Sequence, residues 1–318
     1  MPRERPLRAT QAASPAFVRG AVLLSERGEV QRETGSGADG FQAGGPEQAD
    51  GTGGAMTPYY EQSGVTIYHG DCRDVLPALP GACCDLVFTS PPYNLGVTTG
   101  GGFPTGHYAA DAPMAKRGGQ GKWPGAALAA GYGAYDDAMP PADYESWQRM
   151  TLLQCWRLLT AEGAIYYNHK PRVQGGELWT PLSLNPGLPV RQIVTWARAG
   201  GINFSPSFYV PTYEWIVILA KPAFRLKSKG ASGIGDVWSV AQEANPDHPA
   251  PFPEELPLRA IDTTPARTVL DPFMGIGTTL VAAKRLGRWA IGVDINEKYC
   301  EIAARRLQQE SLFTEGIA

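Results

Sequence analysis

Residues 90–93 of this chain, Ser-Pro-Pro-Tyr, combine groups that can bind a planar ligand by hydrogen bonds and by stacking. They follow an apolar run, residues 86–88, whose lack of alternation predicts a strand buried on both faces of a parallel sheet. Pro91 forces Ser90 into extended geometry, and neither proline has an N–H to donate, so nearby carbonyl groups are expected to stay available to a ligand. The stretch predicts a pocket for a flat group that carries an NH2, with Tyr93 as the stacking surface. The alternative is a Pro-Pro turn that simply ends a core strand.

A second segment, near the C-terminus, combines acidic residues with a glycine turn. Asp271 ends a strand-like run and is followed by Gly275, Gly277, a helix-like stretch and a second strand that ends at Asp294. The separation of the two aspartates is close to the roughly 20 residues that precede a ribose-binding carboxylate in nucleotide-binding βαβ units. The pattern predicts a nucleoside-binding site, the alternative being a tight βα connection without a ligand.

The glycine turn does not match the dinucleotide fingerprint, because Leu280 occupies the third glycine position. Asp271 would also repel a pyrophosphate, whereas it suits the cationic end of a ligand. S-adenosylmethionine, an adenosine compound with an ammonium and a sulfonium group, therefore fits better than NAD. On this interpretation, Asp271 and the backbone of Gly275 and Gly277 face the methionine part, and Asp294 binds the ribose hydroxyls.

In both motifs, the chain resembles the β-type amino-methyltransferases of DNA, in which Ser/Asp-Pro-Pro-Tyr precedes the glycine motif. The resemblance extends over residues 64–307 and includes five further segments, residues 67–72, 163–168, 193–196, 213–219 and 248–256. The order is permuted relative to protein-glutamine and many RNA amino-methyltransferases, which carry the glycine motif first. Cytosine-C5 methylation is a poor fit, because it needs a Pro-Cys nucleophile and no cysteine here follows a proline.

The resemblance implies an α/β fold with a Rossmann-like sheet typical of S-adenosylmethionine-dependent methyltransferases. The sheet is expected to be mostly parallel, with an antiparallel hairpin at its edge and a circularly permuted motif order. Both motifs then lie at the C-terminal ends of parallel strands, where such sheets bind ligands. Residues 141–160 are predicted to form a helix that begins at the N-cap Asp143 and is ended by Gly163. Four apolar residues of this helix are expected in the core, namely Trp147, Met150, Leu153 and Trp156.

The chain is predicted to contain one folded domain, residues 56–318, after a leader of residues 1–55 that lacks any helical or strand period. We hypothesise that Met56 is the true start, so that the leader is a disordered tail or a start-site error. Residues 95–139 are long, Gly-rich and aromatic, and they are expected to form a mobile loop that faces the DNA. Residues 221–247 form a short candidate target-recognition segment.

Composition narrows the function classes. The 318 residues are 43% hydrophobic and 19% charged, with a net charge of −3, which argues mildly against nucleic-acid binding. Two local basic clusters are nevertheless candidates for phosphate contacts, the alternative being solvated loops; they are Lys116, Arg117 and Lys122, and Arg225, Lys227 and Lys229. Five cysteines without a C-x-x-C pair or a secretion signal favour the cytoplasm. No metal site and no membrane segment are expected.

The resemblance also implies roles for individual residues. Ser90 and the Pro91 carbonyl would accept hydrogen bonds from the target NH2, and Tyr93 would stack on a base flipped out of the duplex. The candidate catalytic residues are Ser90, Pro91, Pro92 and Tyr93. The candidate cofactor-binding residues are Asp71, Asp271, Phe273, Gly275, Gly277, Thr278, Asp294 and Asn296.

The target base follows from the form of the first motif. Ser90, together with Phe252 in the His-Pro segment, resembles the cytosine-N4 enzymes, whereas residues 94–96, Asn-Leu-Gly, are more familiar in adenine-N6 enzymes. The predicted substrate is cytosine N4 in duplex DNA, with adenine N6 as the alternative. An RNA methyltransferase and a non-catalytic DNA-binding module remain further alternatives. A homodimer and a cognate restriction enzyme are compatible with the resemblance.

Overall fold

The computed structural model describes residues 56–94, 139–174, 176–198, 206–242 and 252–315. The predicted leader, most of the predicted loop at residues 95–139 and the basic residues Lys116, Arg117 and Lys122 therefore lie outside the described residues. Within the described part of the chain, no helix has the length and apolar character needed to cross a lipid bilayer. The same part contains no group of three or more His, Cys, Asp or Glu side chains that could hold a metal ion.

A nine-stranded sheet organises the described part of the chain, in the order β1-β2-β11-β10-β3-β4-β8-β7-β9, and β5 and β6 form a separate two-stranded sheet. The strands are β1 (Tyr60–Gln62), β2 (Val65–His69), β3 (Cys84–Thr89), β4 (Leu159–His169), β5 (Arg172–Gln174), β6 (Glu177–Trp179), β7 (Val190–Ala197), β8 (Tyr213–Ala220), β9 (Val237–Ser239), β10 (Thr268–Asp271) and β11 (Trp289–Asp294). The helices are α1 (Cys72–Ala78), α2 (Pro141–Leu158), α3 (Lys229–Ser232), α4 (Glu255–Asp262), α5 (Thr278–Arg285) and α6 (Glu297–Glu315), with a 3-10 turn at Pro181–Leu184.

The centre of the sheet is parallel, as predicted. Strands β2, β11, β10, β3 and β4 are parallel neighbours, and β10 from the C-terminal part lies directly between β3 and β11. Strands from the two ends of the described chain are therefore interleaved. This order brings the C-terminal ends of β3, β10 and β11 to one edge, where the two sequence motifs begin.

The predicted antiparallel pair exists, but it does not form the edge of the sheet. Strand β8 is antiparallel to both β4 and β7, and β9 then pairs in parallel with the outer side of β7. Strand β9 belongs to residues 221–247, so this predicted recognition segment is partly built into the sheet. A second antiparallel pair, β1 with β2, closes the opposite edge.

Hydrophobic residues cover both faces of the parallel centre, which confirms the expectation for residues 86–88. On one face, Leu86 and Phe88 pack in a cluster with Val269 of β10. On the other face, Val87 packs in a second cluster with Leu270. Such burial on both faces explains why these strands are continuously apolar.

Helix α2 differs from its prediction at both ends. It spans Pro141–Leu158, the residue before it is Pro140, and no side chain caps it, so the assignment of Asp143 as N-cap was wrong. Gly163 lies inside β4, which starts directly after the helix. Proline fixes the dihedral φ near the helical value, and this allows the helix to begin without a side-chain cap.

The core residues of α2 were predicted only in part. Met150 and Leu153 are 54% and 41% exposed, so their assignment to the core was wrong, whereas the two tryptophans are half-buried and pack against a core cluster. The buried stripe instead includes Gln148, whose Oε1 accepts a hydrogen bond of 2.9 Å from the Tyr167 hydroxyl. A buried polar residue of this kind interrupts the apolar pattern from which the buried face of a helix is predicted. Its hydrogen bond offsets part of the cost of burial.

Gly163 is required at its position by close packing. A Cβ atom there would lie 2.9 Å from the Asp85 carbonyl oxygen and 2.8 Å from Leu159 Cδ2. We therefore expect Gly163→Ala to lower the free energy of unfolding by about 1–3 kcal/mol, as overpacking does in other cores. Gly81→Ala is the matched control, because its nearest neighbour would be the Arg157 carbonyl oxygen at 3.7 Å. Urea unfolding of both variants tests this, and equal stabilities would contradict the packing argument.

Candidate active site

The Ser-Pro-Pro-Tyr motif lies immediately after β3, at the carboxyl edge of the sheet, and part of its backbone is already used by the protein. The Tyr144 hydroxyl donates to the Pro92 carbonyl at 2.8 Å, and Arg172 Nη1 donates to the Tyr93 carbonyl at 2.8 Å. The prediction of freely available carbonyls is therefore wrong for these two. Among the described residues, the Pro91 carbonyl accepts no hydrogen bond.

Tyr93 is packed and hydrogen-bonded on more sides than the sequence indicates. One face of its ring stacks on His169, with centroids 4.4 Å apart and planes inclined by 30°. Burial, and then the charge of Arg172, lower the pKa of His169 to about 3, so a neutral imidazole supports the ring. The face of Tyr93 that stacks on His169 is closed to a ligand ring.

A buried polar cluster surrounds the Ser90 and Tyr93 hydroxyls. Ser90 Oγ lies 2.9 Å from Tyr93 Oη, which donates to Glu214 Oε2 at 2.8 Å. Asn168 Nδ2 donates to Tyr93 Oη at 2.9 Å and approaches Glu214 Oε2 at 3.2 Å. Arg198 Nε lies 3.4 Å from the other oxygen of Glu214, which forms an ion pair with little exposure to water.

Asn168 and Glu214 were missed as site residues at the level of sequence. Both lie within segments that were recognised only as strands of the sheet, and both are buried. The available signal was a polar residue that interrupts an apolar strand, Tyr-Tyr-Asn-His in β4 and Tyr-Glu-Trp-Ile in β8. Buried polar side chains need partners, and two of them on neighbouring strands can supply each other.

The glycine motif is anchored by Asp271, which has no exposed surface. Its Oδ1 accepts hydrogen bonds from Thr89 Oγ1 at 2.8 Å and from the Phe273 amide at 3.1 Å, and its Oδ2 accepts from Thr279 Oγ1 at 2.6 Å. Asp271 had been expected to face the methionine part of the cofactor. It lies instead beneath the glycine turn, where its carboxylate is bound by the protein. It can act on a ligand through its negative charge, because burial leaves that charge poorly screened.

The turn itself needs glycines. Gly275 and Gly277 have φ angles of 52° and 80°, in the left-handed region that favours glycine. A Cβ atom on Gly277 would lie 2.8 Å from the Cβ of Ala303, so α6 packs directly on the turn. Thr278, the next residue, begins α5, and its hydroxyl lies 3.3 Å from Arg306 Nη1.

Asp294, at the end of β11, holds the same turn from the other side. Its Oδ2 accepts from the Gly275 amide at 2.9 Å, and its Oδ1 accepts from the Asn296 amide at 2.8 Å. The Asn296 side chain in turn accepts from the Lys298 amide at 3.0 Å and so caps the first turn of α6. Each carboxylate oxygen of Asp294 keeps a second lone pair, so the predicted ribose contact remains chemically open.

Asp71 and Phe273, the remaining predicted cofactor residues, are linked by a series of side-chain contacts. Asp71 is the N-cap of α1 and pairs with Arg73, whose hydrogen bonds and charge outweigh burial and lower the pKa of Asp71. The Arg73 guanidinium lies 5.9 Å from the Trp147 ring centroid, and Trp147 packs edge-on against Phe273 at 5.5 Å. The structure thus connects Asp71 to Phe273 through two residues that the motifs did not identify.

The described basic cluster is partly engaged with the protein. Lys227 Nζ lies 2.6 Å from Asp262 Oδ1, and Arg225 donates to the carbonyls of Pro222 and Phe224. Lys229 is the exposed first residue of α3. The nearby carboxylate of Asp262 offsets part of the positive charge that Lys227 could offer to a phosphate.

The carboxyl edge of the mostly parallel sheet carries a glycine turn, two buried carboxylates and an adjacent polar cluster, at the place where α/β sheets bind their ligands. The chain belongs to the N6/N4 DNA methylase family, whose model, described as DNA methylase, matches residues 84–305. The type II methyltransferase M.ScaI of Streptomyces caespitosus is 30% identical over 293 residues, which cover 80% of this chain and 84% of that relative.

Two solved structures share the fold. The PvuII DNA methyltransferase, described as cytosine-N4-specific, has a TM-score of 0.58 at 17% identity and covers 78% of this chain and 88% of its own. A putative DNA modification methylase of Thermus thermophilus, complexed with S-adenosyl-L-methionine, has a TM-score of 0.51 at 23% identity and covers 77% and 93% of the two chains. These likenesses confirm the predicted fold class. Family membership confirms a DNA amino-methyltransferase and, with it, S-adenosylmethionine as the cofactor.

The two aspartates of the glycine motif should leave a signature in the pH dependence of stability. Burial raises the pKa of Asp271 from 3.8 to about 6, so the folded protein binds this proton more tightly than the unfolded chain. Stability is therefore lost as the pH rises through this window, by up to about 3 kcal/mol for one group. Because asparagine does not titrate, the free energy of unfolding of Asp271→Asn should rise by that amount relative to the wild type between pH 4 and pH 7.

Urea unfolding across this pH range measures the difference in unfolding free energy between the wild type and Asp271→Asn. The titration of all other groups is common to both proteins and cancels in this difference. Asp236→Asn is the control, because it removes an exposed carboxylate far from the glycine turn. A difference between wild type and Asp271→Asn that does not change with pH would contradict the burial of an ionised Asp271.

Proposed function

We propose that this protein is a site-specific DNA methyltransferase that transfers a methyl group from S-adenosylmethionine to the exocyclic N4 amine of cytosine in duplex DNA. The observation that carries the proposal is the position of Ser90. Its hydroxyl lies in a buried polar cluster beside the glycine turn, in a chain that belongs to a DNA methylase family. A serine, and not an aspartate, before Pro-Pro-Tyr supports cytosine N4.

The chemistry of the glycine turn fits the proposed cofactor. Burial raises the pKa of both Asp271 and Asp294 to about 6, and the two carboxyls lie on opposite sides of one turn. A cationic ligand would favour their ionised forms and so offset part of this burial cost. When bound, the cofactor supplies an electrophilic methyl group on a sulfonium. Asp294 would bind its ribose hydroxyls, and Asp71 and Phe273 would border the adenine.

The target amine is a weak nucleophile, because its lone pair is delocalised into the base ring. Ser90 Oγ and the Pro91 carbonyl would accept its two hydrogens, which favours a tetrahedral nitrogen whose lone pair can point to the methyl group. Positioning of this kind can supply about 7–11 kcal/mol of the barrier in well-oriented systems. The ring face of Tyr93 opposite His169 would stack on the base, and a base inside a duplex can reach it only by flipping out.

Two features that bear on the target base have structural roles of their own. Asn94, the adenine-like feature, has a φ angle of 51°, and its side chain donates to the Met139 carbonyl at 2.7 Å. Asparagine tolerates this left-handed geometry, so it has a local reason to be there. Phe252, the cytosine-like feature, packs on Phe88 at 5.4 Å. The proposal for cytosine therefore depends on Ser90, and adenine N6 is the second candidate.

DNA contact is proposed for the exposed basic residues. Arg225, Lys227 and Lys229 lie within residues 221–247, which we propose as the target-recognition segment; its residues 221–242 are described. Lys116, Arg117 and Lys122 are proposed to contact phosphates from residues 95–139. A cytoplasmic location, a homodimer and a cognate restriction enzyme remain hypotheses that accompany this function.

The ribose role of Asp294 predicts a selective loss of cofactor affinity. Asp294→Ala should weaken S-adenosylmethionine binding by roughly 1–3 kcal/mol, because it leaves ligand hydrogen-bond donors unpaired. DNA affinity should be nearly unchanged. Calorimetry with the cofactor measures this directly, with Asp236→Ala as the control at an exposed site. Unaltered cofactor affinity in Asp294→Ala would reject the ribose role.

The role of Ser90 predicts a loss of rate without a loss of binding. Ser90→Ala should lower turnover by about 10- to 1000-fold, the range for one contact that stabilises developing charge. Cofactor and DNA affinities should be spared, because this hydrogen bond strengthens only as the nitrogen becomes tetrahedral.

The assay measures the transfer of labelled methyl groups to phage DNA from a host without DNA methylation, and mass spectrometry identifies the methylated base. N4-methylcytosine is expected. N6-methyladenine as the sole product would reject cytosine as the target base in favour of adenine N6. Methyl transfer to RNA but not to DNA would reject DNA as the substrate. Full activity in Ser90→Ala would reject the proposed catalytic site.

A further inference from the structure

Glu214 is a buried carboxylate that the proposed reaction does not yet use. It is 7% exposed and lies in β8, where the following residues 216–220 are apolar and buried. Its two oxygens have different partners, because Oε1 faces Arg198 Nε at 3.4 Å and Oε2 accepts from Tyr93 Oη at 2.8 Å. Burying a carboxylate is costly even when it is paired. An ion pair with Arg198 alone would not require the contact to Tyr93.

The carboxylate decides the direction of the hydrogen bonds in the cluster. An ionised carboxylate can only accept, so the Tyr93 hydroxyl hydrogen points to Glu214. Tyr93 Oη then accepts from Ser90, whose own hydrogen points towards Tyr93 over an oxygen–oxygen distance of 2.9 Å. The lone pairs of Ser90 Oγ are thereby left to accept a hydrogen bond from a bound amine.

The Asn168 amide is oriented by the same carboxylate. Its NH2 group faces three acceptors, with distances of 3.2 Å to Glu214, 2.9 Å to Tyr93 and 3.3 Å to Ser90. Its Oδ1 is buried and has no hydrogen-bond partner among the described residues. An unsatisfied buried acceptor in this cluster is expected of a site whose hydrogen bonds are completed only by a ligand.

We propose that Glu214 is a positioning residue that sets Ser90 as an acceptor and receives the reaction's proton through Tyr93. The inference rests on the proposed function, because it assigns the fate of the proton that methylation of an amine releases. Among the described residues, Ser90, Tyr93 and Glu214 form an unbroken line of oxygen atoms with separations of 2.9 and 2.8 Å. Hydrogen bonds of this length permit proton transfer from one oxygen to the next.

The proposed step balances in atoms and charge. Methyl transfer forms an N–C bond at the target amine, breaks the S–C bond of the sulfonium and leaves its electron pair on sulfur. The methylated nitrogen then releases one proton to Ser90 Oγ, and Ser90 passes its own proton to Tyr93. Tyr93 passes its hydroxyl proton to Glu214, which ends as a neutral carboxylic acid, while both hydroxyl groups are restored.

A double-mutant cycle of Tyr93→Phe and Glu214→Gln tests the relay. Tyr93→Phe removes only the bridging oxygen and keeps the ring on His169, and Glu214→Gln keeps the shape but removes the proton acceptor. Each single variant should lower the single-turnover rate of labelled methyl transfer to methylation-free phage DNA by about 10²-fold, the lower end for general acid–base catalysis. The double variant should be no slower than the slower single variant, because both changes break one chain.

Affinity measurements separate this role from a structural one. Calorimetry should show cofactor affinity within about twofold of the wild type, and the KM for DNA should be unchanged while kcat falls. Matched controls are Glu162→Gln, an exposed carboxylate in β4, and Tyr213→Phe, a partly exposed hydroxyl next to Glu214. Both controls should transfer methyl groups at the wild-type rate.

Several outcomes would overturn the relay. A wild-type rate in either single variant, or effects that multiply in the double variant, would show that Tyr93 and Glu214 do not act as one chain. If Glu214→Gln fails to fold because Arg198 loses its charge partner, Tyr93→Phe alone decides, since it leaves that ion pair intact. Failure of the proposed function is distinguishable, because the wild-type protein itself would then transfer no methyl group to DNA.

Discussion

The carboxylate of Asp271 joins the two halves of the site, because it binds Thr89 at the end of β3 and Thr279 near the start of α5. The two threonines are 190 positions apart in the chain. Strands β3 and β10 pair in parallel, but pairing alone leaves the loops that follow them free to diverge. Hydrogen bonds to one buried carboxylate fix both loops to a common point. The positions of Ser90 and of the glycine turn relative to each other depend on this interaction.

The same interaction explains why the site carries an electrostatic cost before any ligand binds. Asp271 and Asp294 are both held in a medium that disfavours their charge, and each is retained by hydrogen bonds to backbone or hydroxyl groups. Donors arranged in advance reduce the reorganisation that binding requires, and a positive ligand offsets the remaining cost. The proposed cofactor roles of these two side chains would therefore couple stability to cofactor affinity.

Local patterns, namely apolar strands and glycine turns, were sufficient to predict the two motif positions and a strand buried inside a parallel sheet. The mostly parallel sheet as a whole and the permuted order followed from the resemblance. The sequence was not sufficient for contacts made by polar residues inside strands. Asn168 and Glu214 both reach the Tyr93 hydroxyl only because β4 and β8 pair in one particular register. Tyr93 was expected to be a stacking surface for a ligand, but one face of its ring stacks on His169, the last residue of β4. Local sequence patterns do not report such cross-strand neighbours.

The interleaved strand order also has a consequence for how the protein is made. A ribosome delivers β2 and β3 long before β10 and β11, yet β10 and β11 lie between them in the finished sheet. The early strands therefore each have an unpaired edge until β10 and β11 have been synthesised, and their pairing closes a loop of high contact order. The carboxylates Asp271 and Asp294 arrive with these two strands. A product truncated before β10 would therefore carry Ser90 and Tyr93 without the glycine turn and its two carboxylates.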